Sequence, residues 1–272
     1  RKLHWTKKDT LILSVITIVF STVSLMTLGS TKAPQTEWIA SSDEEEVIFD
    51  LGEHKEQFSV LYFGQVSRND FSFAVSDDGE NWSDEYWAQM EQGQCWKWKY
   101  LTESIETGPG RAYFNSNLDH IYRLNGRYVR LSAQSLGLTL NEVLFRDDEG
   151  NSIPVSIIGR KGAIEDSELF SDPGRLIDEQ DTLEKLPVYF GNEEMKNAPA
   201  QPSWWNSTYF DEIYHARTAF EFLKSSVPYE TSHPPLGKVL MSVCVSIFGM
   251  TPFGWRFAGA LAGILMLPGM YL

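Results

Sequence analysis

Cysteine is nearly absent. Cys95 and Cys244 are the two in 272 residues, one in a polar stretch and one in a late apolar stretch, so no disulfide framework exists and none is needed at this size. Positive charge is scarce as well: 23 Lys and Arg face 37 Asp and Glu, for a formal net charge of -14. That balance excludes a nucleic-acid binder, because a phosphate backbone is met by a basic face. The deficit is uneven. Residues 1–29 hold four Lys or Arg against one Asp, residues 30–210 hold 15 against 32, and residues 211–272 hold four of each sign. The acidic excess therefore belongs to one middle block.

In place of dispersed charge the two ends carry apolar runs. DTLILSVITIVFSTVSLMTLGS leaves residues 10–29 uncharged, about the 20 positions that span a bilayer core as a helix. Arg1, Lys2, Lys7 and Lys8 (residues 1–8) precede the expected span over 9–29, and the positive-inside rule keeps that end cytoplasmic and exports the acidic block. A cleaved signal peptide is the competing reading. The run exceeds the about 7 to 15 apolar residues usual there and no A-x-A-like site follows, which favours an uncleaved helix. At the far end, LGKVLMSVCVSIFGM (236–250) and TPFGWRFAGALAGILMLPGMYL (251–272) read as two more spans, divided by a Thr-Pro-Phe-Gly turn signal. The first is long enough if Lys238 snorkels its ammonium to the interface. Gly259 and Gly263 form a G-x-x-x-G, a spacing that lets helices approach closely. A chain that starts at Arg1 and stops in mid-span at Leu272 is expected to be a fragment of a longer polytopic protein.

The middle block has another period. VIFDLG, FSVLYFG, DFSFAVSDDGENW, RYVRLSAQ, TLNEVLFRDDEGN and IPVSII are short β-rich runs. Alternation at Phe71, Phe73 and Val75, with turns at Asp78-Gly79 and Glu149-Gly150, predicts an antiparallel β-sandwich over residues 47–160. Residues 30–46 read as a linker. Residues 161–206 read as a return linker ending in Trp204-Trp205, an amphipathic pair suited to the headgroup zone. Trp82, Trp87, Trp96 and Trp98 cluster in the block. Exposed rings, Trp82 and Trp87 first among them, could stack on sugars, although filling the core and its rim is the commoner use. Asp43 to Glu46 and Asp77-Asp78 read as solvated loops in preference to calcium ligands. No metal site is expected, and a divalent-metal requirement stays open. On the ordered motifs FDLG (49–52), YFG (62–64), FAVSDDGENW (73–82), YVRLSAQ (128–134) and LNEVLF (140–145), the block resembles the discoidin or coagulation-factor type C family of jelly-roll modules. Many members of that family bind glycans or lipid headgroups.

Residues 207–235 join this block to the second apolar region. Ser207 or Thr208 predicts the N-cap of a short surface helix whose apolar stripe is Ile213, Ala216, Phe220 and Leu223. Acids in a first turn suit the helix dipole, so Asp211-Glu212 by itself would be capping. The pair is followed 22 residues later by His233-Pro234-Pro235, at the mouth of an apolar segment, and that conjunction points to a site.

YFDEIYHARTAFEFL, HPPLGKVL and FGWRFAGALAGILMLPGMYL resemble the amino-terminal part of the dolichyl-phosphate-mannose protein mannosyltransferases and their bacterial polyprenyl-phosphate-dependent relatives, multispanning enzymes of the GT-C type. In that family a first span is followed by an exported loop with an Asp-Glu pair on a juxtamembrane helix, a His-Pro-Pro segment entering the second transmembrane helix and an arginine near the start of the third. The resemblance implies that Asp211 and Glu212 are the acidic pair, Asp211 the base, His233, Pro234 and Pro235 the proline segment, and Arg256 the arginine. The inserted sandwich is a departure from the eukaryotic pattern.

Chemistry agrees with this reading. Moving a sugar from a lipid phosphate to a hydroxyl by one displacement, with inversion, needs one carboxylate to take the hydroxyl proton. The phosphate leaves as a stable anion without a general acid, unlike the alkoxide of glycoside hydrolysis, which needs a second carboxyl group. Positive charge at the departing phosphate is expected from His233, Lys238 or Arg217. Arg256 is expected at the opposite membrane face as a structural or lipid-anchoring residue, since consecutive spans reverse direction.

The expected molecule is thus multi-domain, membrane α plus all-β: GT-C-type transmembrane helices around an inserted discoidin-like jelly roll. It is expected in the plasma membrane of a prokaryote with residues 30–235 outside. Its donor is a polyprenyl-phosphate sugar, its acceptor an exported protein or glycan, and no tightly bound cofactor is called for. A membrane-tethered carbohydrate-binding module without catalysis is the alternative. A transporter would need ionisable residues inside several spans, and only Lys238 and Arg256 are available, both near ends.

Overall fold

The computed structural model describes residues 5–35, 37–40, 42–43, 45–66, 70–89, 96–102, 121–161 and 202–271. The chain divides into two compact units, one formed by Arg1–Ala33 with Ser203–Leu272 and the other by Pro34–Pro202. Cys95 and most of the expected return linker lie outside the described residues.

In the second unit nine strands form an all-antiparallel sheet: β1 (Trp38–Ile39), β2 (Glu46–Gly64), β3 (Asp70–Ser76), β4 (Tyr86–Gln89), β5 (Lys97–Tyr100), β6 (Leu124–Ala133), β7 (Thr139–Arg146), β8 (Ser152–Ile153) and β9 (Ser156–Lys161). The long β2 organises them. Its first half alternates, with Val47, Phe49 and Leu51 buried, and pairs with β6 and β9. Register shifts after Asp50 and Lys55 break the ladder. From Ser59 onward β2 pairs with β7 and β5 instead. An irregularity of this kind bends a strand and raises its twist, so the two halves of the sheet share β2 and close over one core. Rings connect the halves: Phe49 and Phe58 of β2 meet Phe145 of β7 at 5.2 and 6.0 Å, and Tyr62 meets Phe71 at 5.1 Å. Trp96 and Trp98 are buried, whereas Trp87 is 53% exposed. The acidic turn is self-contained. Asp78 accepts bonds from Ser76 Oγ, the Glu80 and Asn81 N–H groups and the Asn81 amide, which hold its carboxyl well below the usual range.

The first unit is helical: α1 (Lys7–Met26), α2 (Glu212–Leu223), α3 (Pro235–Phe248) and α4 (Pro252–Tyr271). A capping box of Thr6 and Asp9 starts α1, none of whose residues is buried. With 20 residues each, α1 and α4 are long and apolar enough to cross a membrane; at 1.5 Å per residue each reaches about 30 Å.

The expected span over 236–250 is shorter as a helix. It forms α3, which has 14 residues and reaches only about 21 Å, short of the hydrocarbon core. Lys238 does not snorkel outward. With Ser242 and Val245 it lies on the buried face of α3, while Leu236, Leu240, Val243 and Ile247 are exposed. The start of α4 lies at the C-terminal end of α1, where Phe253 N–H donates to Ser30 O at 2.9 Å. The end of α3 therefore lies on the side on which α1 ends.

Candidate functional site

The chain enters α2 through a tight turn at residues 209–212. Glu212 N–H donates to Tyr209 O, and Tyr209 N–H returns a bond to the Glu212 carboxylate at 3.0 Å. Phe210 takes φ +48° to make the turn, a left-handed conformation uncommon outside glycine. The N-cap is consequently Asp211, in place of the expected Ser207 or Thr208, and its side chain makes no capping bond. Of the expected stripe Ile213 and Ala216 are buried, Phe220 is half-buried and Leu223 is exposed, while Ala219, outside that stripe, is buried.

The two adjacent acids meet different surroundings. Asp211 is exposed, and its carboxylate hydrogen-bonds to no described residue. Glu212 is gripped by Arg256, Nε to Oε1 at 2.6 Å and Nη2 to Oε2 at 2.7 Å. The same guanidinium donates to Leu28 O at 3.0 Å, Trp204 O at 2.8 Å and Ser207 O at 3.1 Å. Arg256 thus ties the end of α1, the 203–207 turn and the start of α2 to α4. This corrects its expected place at the opposite face: it sits on the Glu212 side because the start of α4 lies beside the end of α1. Gly29 makes the approach possible. It has φ +130°, and a Cβ there would lie 2.5 Å from Arg256 Nη1.

The His-Pro-Pro segment is fixed by a second carboxylate, Glu230. It receives Ser232 N–H at 2.5 Å, His233 N–H at 3.1 Å, the Ser232 hydroxyl and the Lys238 ammonium. Lys238 foremost, with the Ser232 hydroxyl next, keeps this carboxyl well below its ordinary value. Pro234 caps α3 and Pro235 opens it, a position for which proline's fixed φ and missing N–H are suited. His233 stays exposed. Its Nδ1 faces Ser232 Oγ at 3.1 Å and Glu230 at 3.2 Å, and its ring packs edge-on against His215, centroids 5.3 Å apart. Partial burial, Lys238 and His233 lower the His215 pKa against the opposing pull of Glu230 and Asp211.

Glu221 is the third carboxylate in use. It accepts from Arg217 Nε and from Tyr229 N–H, both at 2.7 Å, and the Arg217 guanidinium lies 4.1 Å from the Tyr229 ring centre. Of the three residues expected to face a phosphate, His233 alone is left without a full countercharge of its own, since Lys238 and Arg217 each have a carboxylate partner. Residues not singled out in the sequence are His215, Glu221, Tyr229 and Glu230. The i, i+4 spacings of Asp211 with His215 and of Arg217 with Glu221 were available signals; the contacts across the 224–234 loop had none.

In the sheet unit, Arg130 lies 4.9 Å from the Trp82 ring centre and is itself within 3.8 Å of Glu46 and 3.9 Å of Glu85. One face of the half-buried Trp82 ring is thereby occupied. Trp87 stands on β4 in register with Ser72. Among the described residues no group of three or more His, Cys, Asp or Glu is placed to hold a metal ion.

Part of the chain is similar to known mannosyltransferases. Over 64 residues it is 38% identical to the polyprenol-phosphate-mannose--protein mannosyltransferase of Mycobacterium tuberculosis (strain ATCC 25618 / H37Rv), a match covering 21% of this chain and 12% of that protein. The protein of the same description from Mycolicibacterium smegmatis (strain ATCC 700084 / mc(2)155) is 33% identical over 64 residues, with the same coverage. The match therefore spans about an eighth of these relatives' length. No family model matches the chain, and no solved structure matches it significantly.

Proposed function

We propose that this chain is the amino-terminal part of a membrane glycosyltransferase that moves a sugar, mannose on the strength of the relatives' description, from a polyprenyl-phosphate donor to an exported hydroxyl with inversion. The observation that carries this reading is the division of labour between the two acids. A general base needs a carboxylate with free lone pairs within reach of substrate, as Asp211 has. Its neighbour is immobilised by Arg256, so Glu212 positions the start of α2 and not the proton. His233, in the loop that follows α2, packs against His215 of its first turns and is placed at the donor phosphate. GT-C architecture for the helices, and a discoidin-like jelly roll for the insert, belong to this proposal, as does a prokaryotic plasma membrane with the insert outside. Acceptors are an exported protein or a glycan. The insert adds a carbohydrate contact through Trp87, the exposed ring, and not through Trp82.

Asp211→Asn keeps the shape of the carboxylate and removes its basicity. In the full-length enzyme, transfer from a polyprenyl-phosphate sugar should fall about 100-fold or more, the usual scale of general-base catalysis. Turnover near wild type in folded, inserted protein would return Asp211 to a helix-terminal role and leave the tethered carbohydrate-binding module as the better reading.

A further inference from the structure

The proposed reaction must hold a phosphate, yet the cations expected to do so are already engaged. Arg217 pairs with Glu221, Lys238 with Glu230 and Arg256 with Glu212. Lys224, the remaining cation of residues 203–271, lies just past the far end of α2 against the Phe220 ring. Two imidazoles are left. His215 is one helical turn beyond Asp211, and residues four apart share a helix face. Its ring meets that of His233 edge-on at 5.3 Å, and neither of its nitrogens bonds to a described residue. The Nδ1 of His233 faces Ser232 and Glu230, which leaves Nε2 as its outward nitrogen.

We infer that His215 and His233 together form a two-imidazole site for the phosphate of the lipid-linked donor, beside Asp211. This rests on the glycosyltransferase reading and deepens it. An imidazole N–H is a directional donor that gains strength when an anion draws a proton onto the ring. The groups facing His215 are Asp211 on its own helix, His233 and Glu230 in the 224–234 loop, and Lys238 of α3. His233 faces Ser232, Glu230 and His215. Partial burial, Lys238 and His233 disfavour the imidazolium of His215 in the unliganded protein. A bound phosphate reverses that preference and raises the pKa, so binding takes up a proton. Affinity is highest at low pH and declines as pH rises through the bound-state value.

The test uses the full-length enzyme in nanodiscs with polyprenyl-phosphate-mannose and no acceptor. That donor is a phosphodiester, so its own charge is constant between about pH 5 and 8, where histidine titrates. Wild type should bind more weakly as pH rises and take up a proton, read by calorimetry in buffers of different ionisation enthalpy. His215→Gln and His233→Gln should each weaken low-pH binding about tenfold, the scale of one charge-assisted hydrogen bond, and flatten the profile. Lys224→Ala should bind as wild type does. Folded His215→Gln protein with unchanged affinity and an unchanged pH profile overturns the inference. Absence of any donor binding by wild type instead overturns the glycosyltransferase reading, and the pair with it. Adding phosphatidylglycerol to the nanodiscs separates the sources of phosphate: undiminished donor affinity supports the assignment, and competitive loss reassigns the pair to an anionic headgroup.

Discussion

Five hydrogen bonds from one guanidinium hold the helical unit at the level of Glu212. Arg256 bonds both Glu212 oxygens and three backbone carbonyls, a planar fork that a lysine cannot imitate. Its side chain is 13% exposed and that of Glu212 21%, so the pair is partly shielded and its loss leaves a carboxylate without its partner. Arg256→Lys should lower stability by about 1.5–3 kcal/mol, the range for hydrogen bonds to charged groups, read as a drop in the melting temperature of the detergent-solubilised protein. If the pair is the source, Glu212→Gln in the Arg256→Lys background should cost much less than Glu212→Gln alone, because partners in one network are not additive. Additive losses would show that the two residues act separately.

Within the sheet unit, the bend of β2 is held by an ion pair. Asp50, next to the first register shift, accepts two bonds at 2.9 Å from Arg127 Nε and Nη2 of β6, and Gly52 N–H adds a third at 2.8 Å. Arg127 is the main reason the Asp50 carboxyl lies below its ordinary value, with partial burial acting the other way. A lowered folded-state pKa stabilises above the unfolded carboxylate value, near 4, and that stability is lost as pH falls through the folded value. Arg127 is 38% exposed, so water screening keeps the contribution small. Asp50→Asn should therefore lower the melting temperature at neutral pH and converge with wild type in strong acid. Parallel curves at all pH values would assign the loss to packing.

For the whole molecule, the decisive geometry is that α3 is short and ends beside the end of α1. Its first turn joins Glu230 through Lys238, and its last residues lead within four positions to α4, whose start is bonded to Ser30 at the end of α1. A membrane-impermeant thiol reagent, applied to the full-length protein with Cys95 and Cys244 changed to serine, distinguishes this from three successive spans. Ser232→Cys and Ser246→Cys, both exposed, should react from the same outer side. Reaction of the Ser246 variant from the cytoplasmic side alone would make α3 a true span.

The sequence by itself determined what depends on local pattern. Twenty uncharged residues after a basic start mark α1, alternation and turn residues mark most strands, and the Asp211-Glu212 and His-Pro-Pro motifs mark the candidate site, because side-chain period, proline geometry and length act within a few residues. Tertiary structure decided what depends on pairing at a distance. Nothing in the spacing of Glu212 and Arg256 or of Glu230 and Lys238 says that they meet, and snorkelling looked sufficient to lengthen α3 only while its lysine was unpaired. Burial next to a carboxylate turned Lys238 inward, the short α3 kept Arg256 on the side of Glu212, and that one ion pair left Asp211 as the free acid.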